Sequence, residues 1–333
     1  MSAFDAAARV LRDAIDAHVF PAAAAEVGSS DGVMWQASLG ALTFDDAAPP
    51  TEIATPFDLA SLTKVLGTTT GIMRLIDAGA LDLGEPVSSF FEEWRGSDRE
   101  AATVRDLLEH ASGLSARLVD PPGRGRREFE HDICAMPLEC PPRSRSIYSD
   151  LGFILLGFIL SDRGAPLVCA MTPEARRRAA PTRAMDEDVR RGQLLVGEVH
   201  DSYAAALGGL AGHAGMFGSA PEVGRIARTI LRAARGETGM PPPFGPALVR
   251  QFTTKSTVPG SSRALGWDTM LPTSSCGTRM SASAFGHVGF TGTSLWIDPA
   301  RDRYFVLLTN RACGGGTIDQ MRDVRRAFHD ALS

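Results

Sequence analysis

The chain has 333 residues, enough for one large domain or two linked ones. Hydrophobic residues make up 44% and charged residues 22%, a globular balance that argues against disorder. The net charge is -5 and no basic stripe is present, which argues against a nucleic-acid surface. The five cysteines (Cys134, Cys140, Cys169, Cys276 and Cys313) are odd in number and lack CxxC spacing. They support neither a zinc site nor a disulfide framework, so reduced thiols and a cytoplasmic location are expected, with no metal or cofactor. Arginine carries nearly all the positive charge: Lys64 and Lys255 are the only lysines, and Tyr148, Tyr203 and Tyr304 the only tyrosines. A buried lysine can give up its proton and an arginine does not, so Lys64 draws notice.

Residues 4–14 place apolar side chains at helical spacing, and no signal-peptide pattern precedes them. Residues 23–28 and 33–40 read as two strands around Ser29-Ser30-Asp31-Gly32, a turn cluster. After a Pro- and Thr-rich connection, Leu62, Val65, Leu66, Thr69, Ile72, Met73 and Ile76 recur at helical spacing, with Gly79 where a C-terminal cap falls. Residues 103–106 fit a capping box opening a helix that ends near Gly113. Residues 115–147 read as an irregular loop, 151–160 as a buried helix and 221–235 as another helix. The run 151–160 is about half the length of a membrane span. Residues 164–200 carry no clear period. Near the C-terminus the pattern changes to strands at 293–298 and 304–309, a hairpin, and an amphipathic helix over 318–332. Strands at both ends and helices between them imply an α+β fold in which one antiparallel sheet is flanked by helices. On this reading the sheet subdomain comes from residues 1–60 and 255–333, and a mainly helical subdomain, residues 61–254, is inserted between them.

Ser61 stands just before the helix that starts at Leu62, and Lys64 is three residues on, so both side chains share one face. The free N–H groups of that first turn favour negative charge near Ser61. A serine hydroxyl is a poor nucleophile until a neighbour takes its proton, and an amine held against it can do so. The plain alternative is a helix-capping serine followed by a surface lysine.

Four segments in order bear on that choice: Phe57-Asp58-Leu59-Ala60-Ser61-Leu62-Thr63-Lys64; Asp106-Leu107-Leu108-Glu109-His110-Ala111-Ser112-Gly113-Leu114; Tyr148-Ser149-Asp150-Leu151-Gly152; and His287-Val288-Gly289-Phe290-Thr291-Gly292. With the glycine-rich stretch GGLAGHAGMF at residues 208–217, they resemble the serine β-lactamase and penicillin-binding protein superfamily, in the class C β-lactamase-like branch that includes family VIII carboxylesterases. The resemblance runs from about residue 20 to residue 325. It implies a site between sheet and helices, with Ser61 as the acylated nucleophile, Lys64 sharing its proton and Tyr148 completing the relay. It also implies an oxyanion hole from the backbone N–H groups of Ser61 and Phe290, each contributing about 3 kcal/mol to the transition state. Asp150, His287, Gly289 and Phe290 would face the substrate.

Two departures from the family pattern matter. The tyrosine motif, often YxN, is here Tyr148-Ser149-Asp150. Asp150 either holds Lys64 in its charged form, leaving Tyr148 as the principal base, or only caps the following helix. The usual KTG is here His287-Val288-Gly289, and a histidine is mostly neutral at pH 7, so a substrate carboxylate would be held less well. His287 as a packed structural histidine is the alternative. His200, Asp201 and His213 lack metal-ligand spacing and read as structural, with substrate contact second.

The expected function is a serine hydrolase acting on small-molecule ester or amide substrates, with weak β-lactam reactivity. A true β-lactamase or D-amino-acid peptidase is the alternative, and a non-catalytic binding protein of the same fold is a second. No nucleic acid or membrane partner is expected.

Overall fold

Ser2 and Asp5 open the first helix, α1 (Ala3–Asp16), each side chain accepting the other residue's backbone N–H. The computed structural model describes residues 2–118, 123–237 and 244–333. Next come β1 (Ala22–Gly28), β2 (Val33–Gly40), β3 (Phe57–Asp58), a π-helical turn over Lys64–Thr69, and α2 (Thr70–Asp77). The middle of the chain holds α3 (Val104–Leu108), α4 (Arg126–Ala135), α5 (Asp150–Asp162), α6 (Pro173–Arg177), β4 (Thr182–Arg183), β5 (Leu194–Leu195), α7 (Ser202–Ala206), β6 (Phe217–Gly218), α8 (Ala220–Ala234) and α9 (Pro246–Thr253). The C-terminal part adds β7 (Asp268–Thr269), β8 (Phe285–Val288), β9 (Ser294–Asp298), β10 (Arg303–Thr309), α10 (Arg311–Gly314) and α11 (Ile318–Leu332).

Six strands form one antiparallel sheet in the order β2-β1-β10-β9-β8-β7. Strand β1 is buried along its whole length, which explains its run of four alanines. Ala23, Ala25 and Leu307 face the layer of α1 and α11, packing with Leu11, Met321 and Phe328. Ala22, Ala24, Val306 and Leu308 face the other side, with Val223 and Ala227 of α8. Alternate residues of a strand point to opposite faces, so small side chains let both helical layers approach. Gly224 of α8 sits so close that a Cβ there would lie 1.8 Å from Glu26 Oε1. The antiparallel sheet flanked by helices is the fold expected from the sequence.

Helix α5 is the core of the helical part. Nine of its residues are buried, among them Phe153, Ile154, Leu155 and Leu156, each contributing about 1.5–3 kcal/mol by leaving water. Three expected elements differ. The helix after Thr103 has its capping box but ends at Leu108, because His110 and Gly113 turn the chain through positive φ (55° and 85°). Residues 115–147 are not wholly irregular: α4 forms there by burying Phe129, Ile133 and Cys134 on one side of an otherwise polar helix. Part of that expected loop, residues 119–122, lies outside the described residues. Residues 164–200 hold the short α6 and the β4–β5 pair. All five cysteines are free thiols.

Candidate active site

Strand β3 carries the chain to Ser61. It pairs with β6, Phe57 opposite Gly218 and Asp58 opposite Phe217. The Asp58 carboxylate accepts the N–H of Ala60 (2.8 Å) and of His200 (2.6 Å). Ala60 is thereby held at φ +47°, a conformation that costs an alanine roughly 1 kcal/mol and turns the chain sharply before Ser61. The helix then widens into the π-helical turn at Lys64, a distortion common at functional sites.

Lys64 is fully buried, and its ammonium donates to three acceptors: Ser61 Oγ at 3.0 Å, Asp150 Oδ1 at 2.7 Å and the His213 carbonyl at 3.1 Å. Burial alone would lower its pKa, but Asp150 and then Tyr148 outweigh that, and the net direction is upward. Burial likewise works against the Asp150 carboxylate, and Lys64 overrides it, holding Asp150 below the usual carboxylate range. Of the two readings left open for Asp150, the ion pair is the one seen. The helix cap is Ser149, whose Oγ accepts the Gly152 N–H.

Tyr148 packs over this pair. Lys64 Nζ lies 5.0 Å from its ring centre, and on the ring's neighbours sit His110 (4.7 Å), His287 (5.9 Å) and the Arg263 guanidinium (4.8 Å). His287 is buried, and burial, then Arg263, drive its pKa well below the ordinary value, so it is neutral. Its Nδ1 contacts the Val288 carbonyl at 2.9 Å, which assigns the proton there and leaves Nε2 as an acceptor without a partner among the described residues. His110 has the opposite tautomer. Its Nδ1 accepts the Ser149 N–H at 3.0 Å, so the unpartnered Nε2 carries the hydrogen.

Gly289 brings the loop after β8 against β3. A Cβ at Gly289 would lie 2.1 Å from Thr293 Oγ1 and 2.7 Å from the Leu59 carbonyl. Thr291 and Thr293 hydroxyls donate to the carbonyls of Asp58 (2.7 Å) and Leu59 (3.0 Å). Among the described residues, the backbone N–H groups of Ser61 and Phe290 make no hydrogen bond. Tyr148 and Phe290 are partly open to solvent, 36% and 42% exposed, in contrast to the buried Lys64 and His287.

The structure thus brings Ser61, Lys64, Tyr148, Asp150 and His287 together, with Gly289 docked on β3. It also adds groups that motif reading did not place. Arg117 bridges Asp150 (3.1 Å) and Asp201 (3.0 Å), and Asp201 accepts from His213 Nε2 at 2.7 Å. With the His213 carbonyl on Lys64, these contacts close a ring behind the ammonium. Asp150, Asp201 and His213 are near enough to one another to suggest a metal. Lys64 and Arg117 already donate to the same carboxylates, so the donor set does not suit a further cation. The signal in the sequence was the pairing of His200-Asp201 with His213, which lacks meaning until α7 and the glycine-rich turn fold beside α5. Arg263 had no motif at all.

The fold, with a serine hydroxyl bonded to a buried ammonium and a tyrosine ring near that ammonium, is that of a hydrolase of the serine β-lactamase and penicillin-binding-protein class. The chain belongs to the β-lactamase family, whose model matches residues 7–163 and 169–327. An Escherichia coli (strain K12) protein provisionally named a D-alanyl-D-alanine carboxypeptidase is 28% identical over 305 residues, covering 77% of this chain and 69% of that one. The N-acetylmuramyl-L-alanine amidase of Bacillus subtilis (strain 168) is 28% identical over 303 residues, covering 77% and 68%. Among solved structures, EstCE1, a hydrolase with promiscuous acyltransferase activity, superposes with a TM-score of 0.76 at 18% identity, covering 99% and 98% of the two chains. A penicillin-binding protein homologue from Caulobacter crescentus gives 0.74 at 19% identity, covering 100% and 98%. No helix among the described residues is long and apolar enough to cross a membrane.

Proposed function

We propose that the protein is a serine hydrolase that works through an acyl-enzyme on Ser61, acting on small ester or amide substrates. The observation that carries this reading is the Ser61 Oγ to Lys64 Nζ hydrogen bond of 3.0 Å, with Lys64 buried and paired to Asp150. An ammonium held in its charged form orients the hydroxyl and offsets negative charge, but it does not accept the proton. Tyr148 then takes the principal proton-transfer role. Ser61 Oγ attacks the substrate carbonyl, and its proton passes to the Tyr148 oxygen as Tyr148 gives its own proton to the leaving group. Water reverses the relay: its oxygen attacks the acyl carbon, its proton goes to Tyr148, and Tyr148 reprotonates Ser61 as the ester bond breaks. Lys64 and Arg263, 5.0 and 4.8 Å from the phenol ring centre, face any charge that develops there. The Ser61 and Phe290 N–H groups would receive the oxyanion.

The test is hydrolysis of p-nitrophenyl butyrate beside nitrocefin, with fluorophosphonate labelling followed by mass spectrometry. Labelling of Ser61, and loss of ester turnover by at least about a thousand-fold in Ser61→Ala, are expected. Unlabelled Ser61 under all conditions defeats the reading. Rapid nitrocefin turnover without ester hydrolysis defeats the substrate preference.

A second reading, a peptidase acting on D-amino-acid peptides, has one observation in its favour. Arg263 places a cation beside the neutral His287, where a substrate carboxylate would meet it. The carboxypeptidase name of the Escherichia coli relative points the same way. On that reading Arg263→Gln lowers kcat/KM for a D-alanyl-D-alanine peptide by about ten-fold more than it lowers that for p-nitrophenyl butyrate, since its effect on Tyr148 is common to both. Equal effects on both substrates would remove it.

A further inference from the structure

Two buried arginines stand behind the loop that carries Phe290. Arg325 of α11 and Arg311 of α10 are 6% and 7% exposed, and neither pairs with a carboxylate among the described residues. A buried cation without a counter-ion is expensive unless its donors are used. Here the donors that are used go to backbone carbonyls, four of the five bonds to the loop 289–293 and one to Gly316, while Arg325 Nε is without a partner among the described residues. Arg325 Nη2 donates to Gly289 O at 2.6 Å and Thr293 O at 3.0 Å. Arg311 donates to Phe290 O through Nε at 3.0 Å and Nη2 at 2.6 Å, and to Gly316 O through Nη1 at 2.7 Å. The Gly289 carbonyl belongs to the same peptide unit as the Phe290 N–H. A cation bonded to a peptide oxygen draws electron density from its nitrogen and makes the N–H a stronger donor.

We propose that Arg325, with Arg311 behind it, is a positioning residue of the oxyanion hole: its guanidinium polarises the Gly289–Phe290 peptide and so strengthens the Phe290 N–H toward the oxyanion, an inference that rests on the acyl-enzyme reading above. Arg325 is buried and its bonds go to backbone carbonyls, so it acts through the peptide. Burial, then Arg311, push the Arg325 pKa down to about 9, so the guanidinium keeps its charge at neutral pH. Arg311 fixes the next carbonyl and lies 4.5 Å over the Phe290 ring centre, which sets the direction in which the N–H points.

The experiment compares wild type with Arg325→Gln and Arg325→Lys, using ester kinetics and isotope-edited infrared spectra of the acyl-enzyme carbonyl on Ser61. A weaker donor should lower kcat about ten-fold while KM stays within about two-fold. It should also move the acyl carbonyl stretch to higher wavenumber, and Arg325→Lys should recover part of both effects. A folded variant with wild-type kcat, or with lower kcat and an unmoved carbonyl stretch, overturns the proposal, because a purely structural role changes packing and leaves the bond to the carbonyl alone. Should both variants fail to fold, the wild type decides through the amide 15N shift of Phe290. A downfield value fits polarisation, and an ordinary coil value rules it out. Wild-type protein that does not acylate at Ser61 would instead sink the proposed function, which keeps the two failures apart.

Discussion

Asp58 shows how one buried carboxylate can shape the approach to a nucleophile. It is fully buried, and burial raises its pKa to about 6 against the two backbone N–H groups it accepts. The folded state therefore binds this proton more tightly than the unfolded state, whose value is near 3.8. Its contribution to stability is full below the unfolded value and is lost as pH rises through about 6, a change of about 3 kcal/mol. Asp58→Asn cannot ionise but gives up one acceptor. The variant should be clearly less stable than wild type at pH 4.5 and should close that gap by pH 8; parallel Tm curves across this range would refute the assignment. Lys64 and Asp150 have the opposite window. Lys64 is shifted up and Asp150 down, so their mutual stabilisation is present from above pH 4 to beyond pH 10 and fails only outside it. Asp150→Asn leaves the buried ammonium without its carboxylate and should cost about 3 kcal/mol. Any limb of the pH–rate profile that belongs to Lys64 should move to lower pH. Besides Asp150, the groups that set that limb are Tyr148, Arg117, His110, His287 and the Asp201–His213 pair.

At the scale of elements, the site depends on how closely the 289–293 loop docks on β3. Gly289→Ala places a methyl group within 2.1 Å of Thr293 Oγ1 and 2.7 Å of the Leu59 carbonyl, so the loop must lift away from Ser61. Expected are a fall in kcat of about a hundred-fold, from a displaced Phe290 N–H, and a smaller loss of Tm. Unchanged kcat with a lowered Tm would show that this N–H has no part in the reaction. The π-helical turn is another element-scale feature. The apolar spacing after Ser61 reads as one continuous α-helix, and most of the marked positions are buried. Past the turn, however, Leu75 is buried where the straight helix placed Ile76, which is only half-buried. Ile72 and Met73 keep their expected burial, so the change of phase shows only in the last turn. The wider turn also buries Lys64 and Thr68, polar residues that a helical wheel would send to the surface.

The whole molecule is held by pairing between its two ends. Strand β1 lies between β2 and β10, and α1 packs on α11, so neither terminal part completes a core alone. Phe328 of α11 is fully buried in this layer. Phe328→Ala should lower stability by about 3–5 kcal/mol and, by loosening α11, reduce activity as Arg325 loses its hold on Gly289. Thermal unfolding followed by near-ultraviolet circular dichroism and by residual activity should give coincident curves. Activity lost well before the α11 layer melts would separate the site from this end of the sheet.

Four strands of the sheet (β1, β2, β9 and β10), the helices α1, α5, α8 and α11 and the nucleophile segment were legible in the sequence. The apolar runs of β1, β9 and β10, the alternation of β2, the helical periods of α1, α8 and α11, and the Ser61–Lys64 spacing are local properties, written in neighbouring residues. The tertiary structure alone decided how charge is distributed around Ser61. Asp150 had two readings until α5 was seen to point its carboxylate at Lys64 rather than cap its own helix. The His213 carbonyl reaches the Lys64 ammonium directly, while Arg117 and Asp201 act on it at one remove, Arg117 through Asp150 and Asp201 through His213 and Arg117. Arg263 and Arg325 carry no motif, because the groups they face, the Tyr148 ring and the Gly289 carbonyl, are brought to them by other elements. Electrostatic interaction depends on distance and burial rather than on spacing along the chain, so the protonation of Lys64 and the strength of the Phe290 N–H become defined only when the sheet closes on the helices.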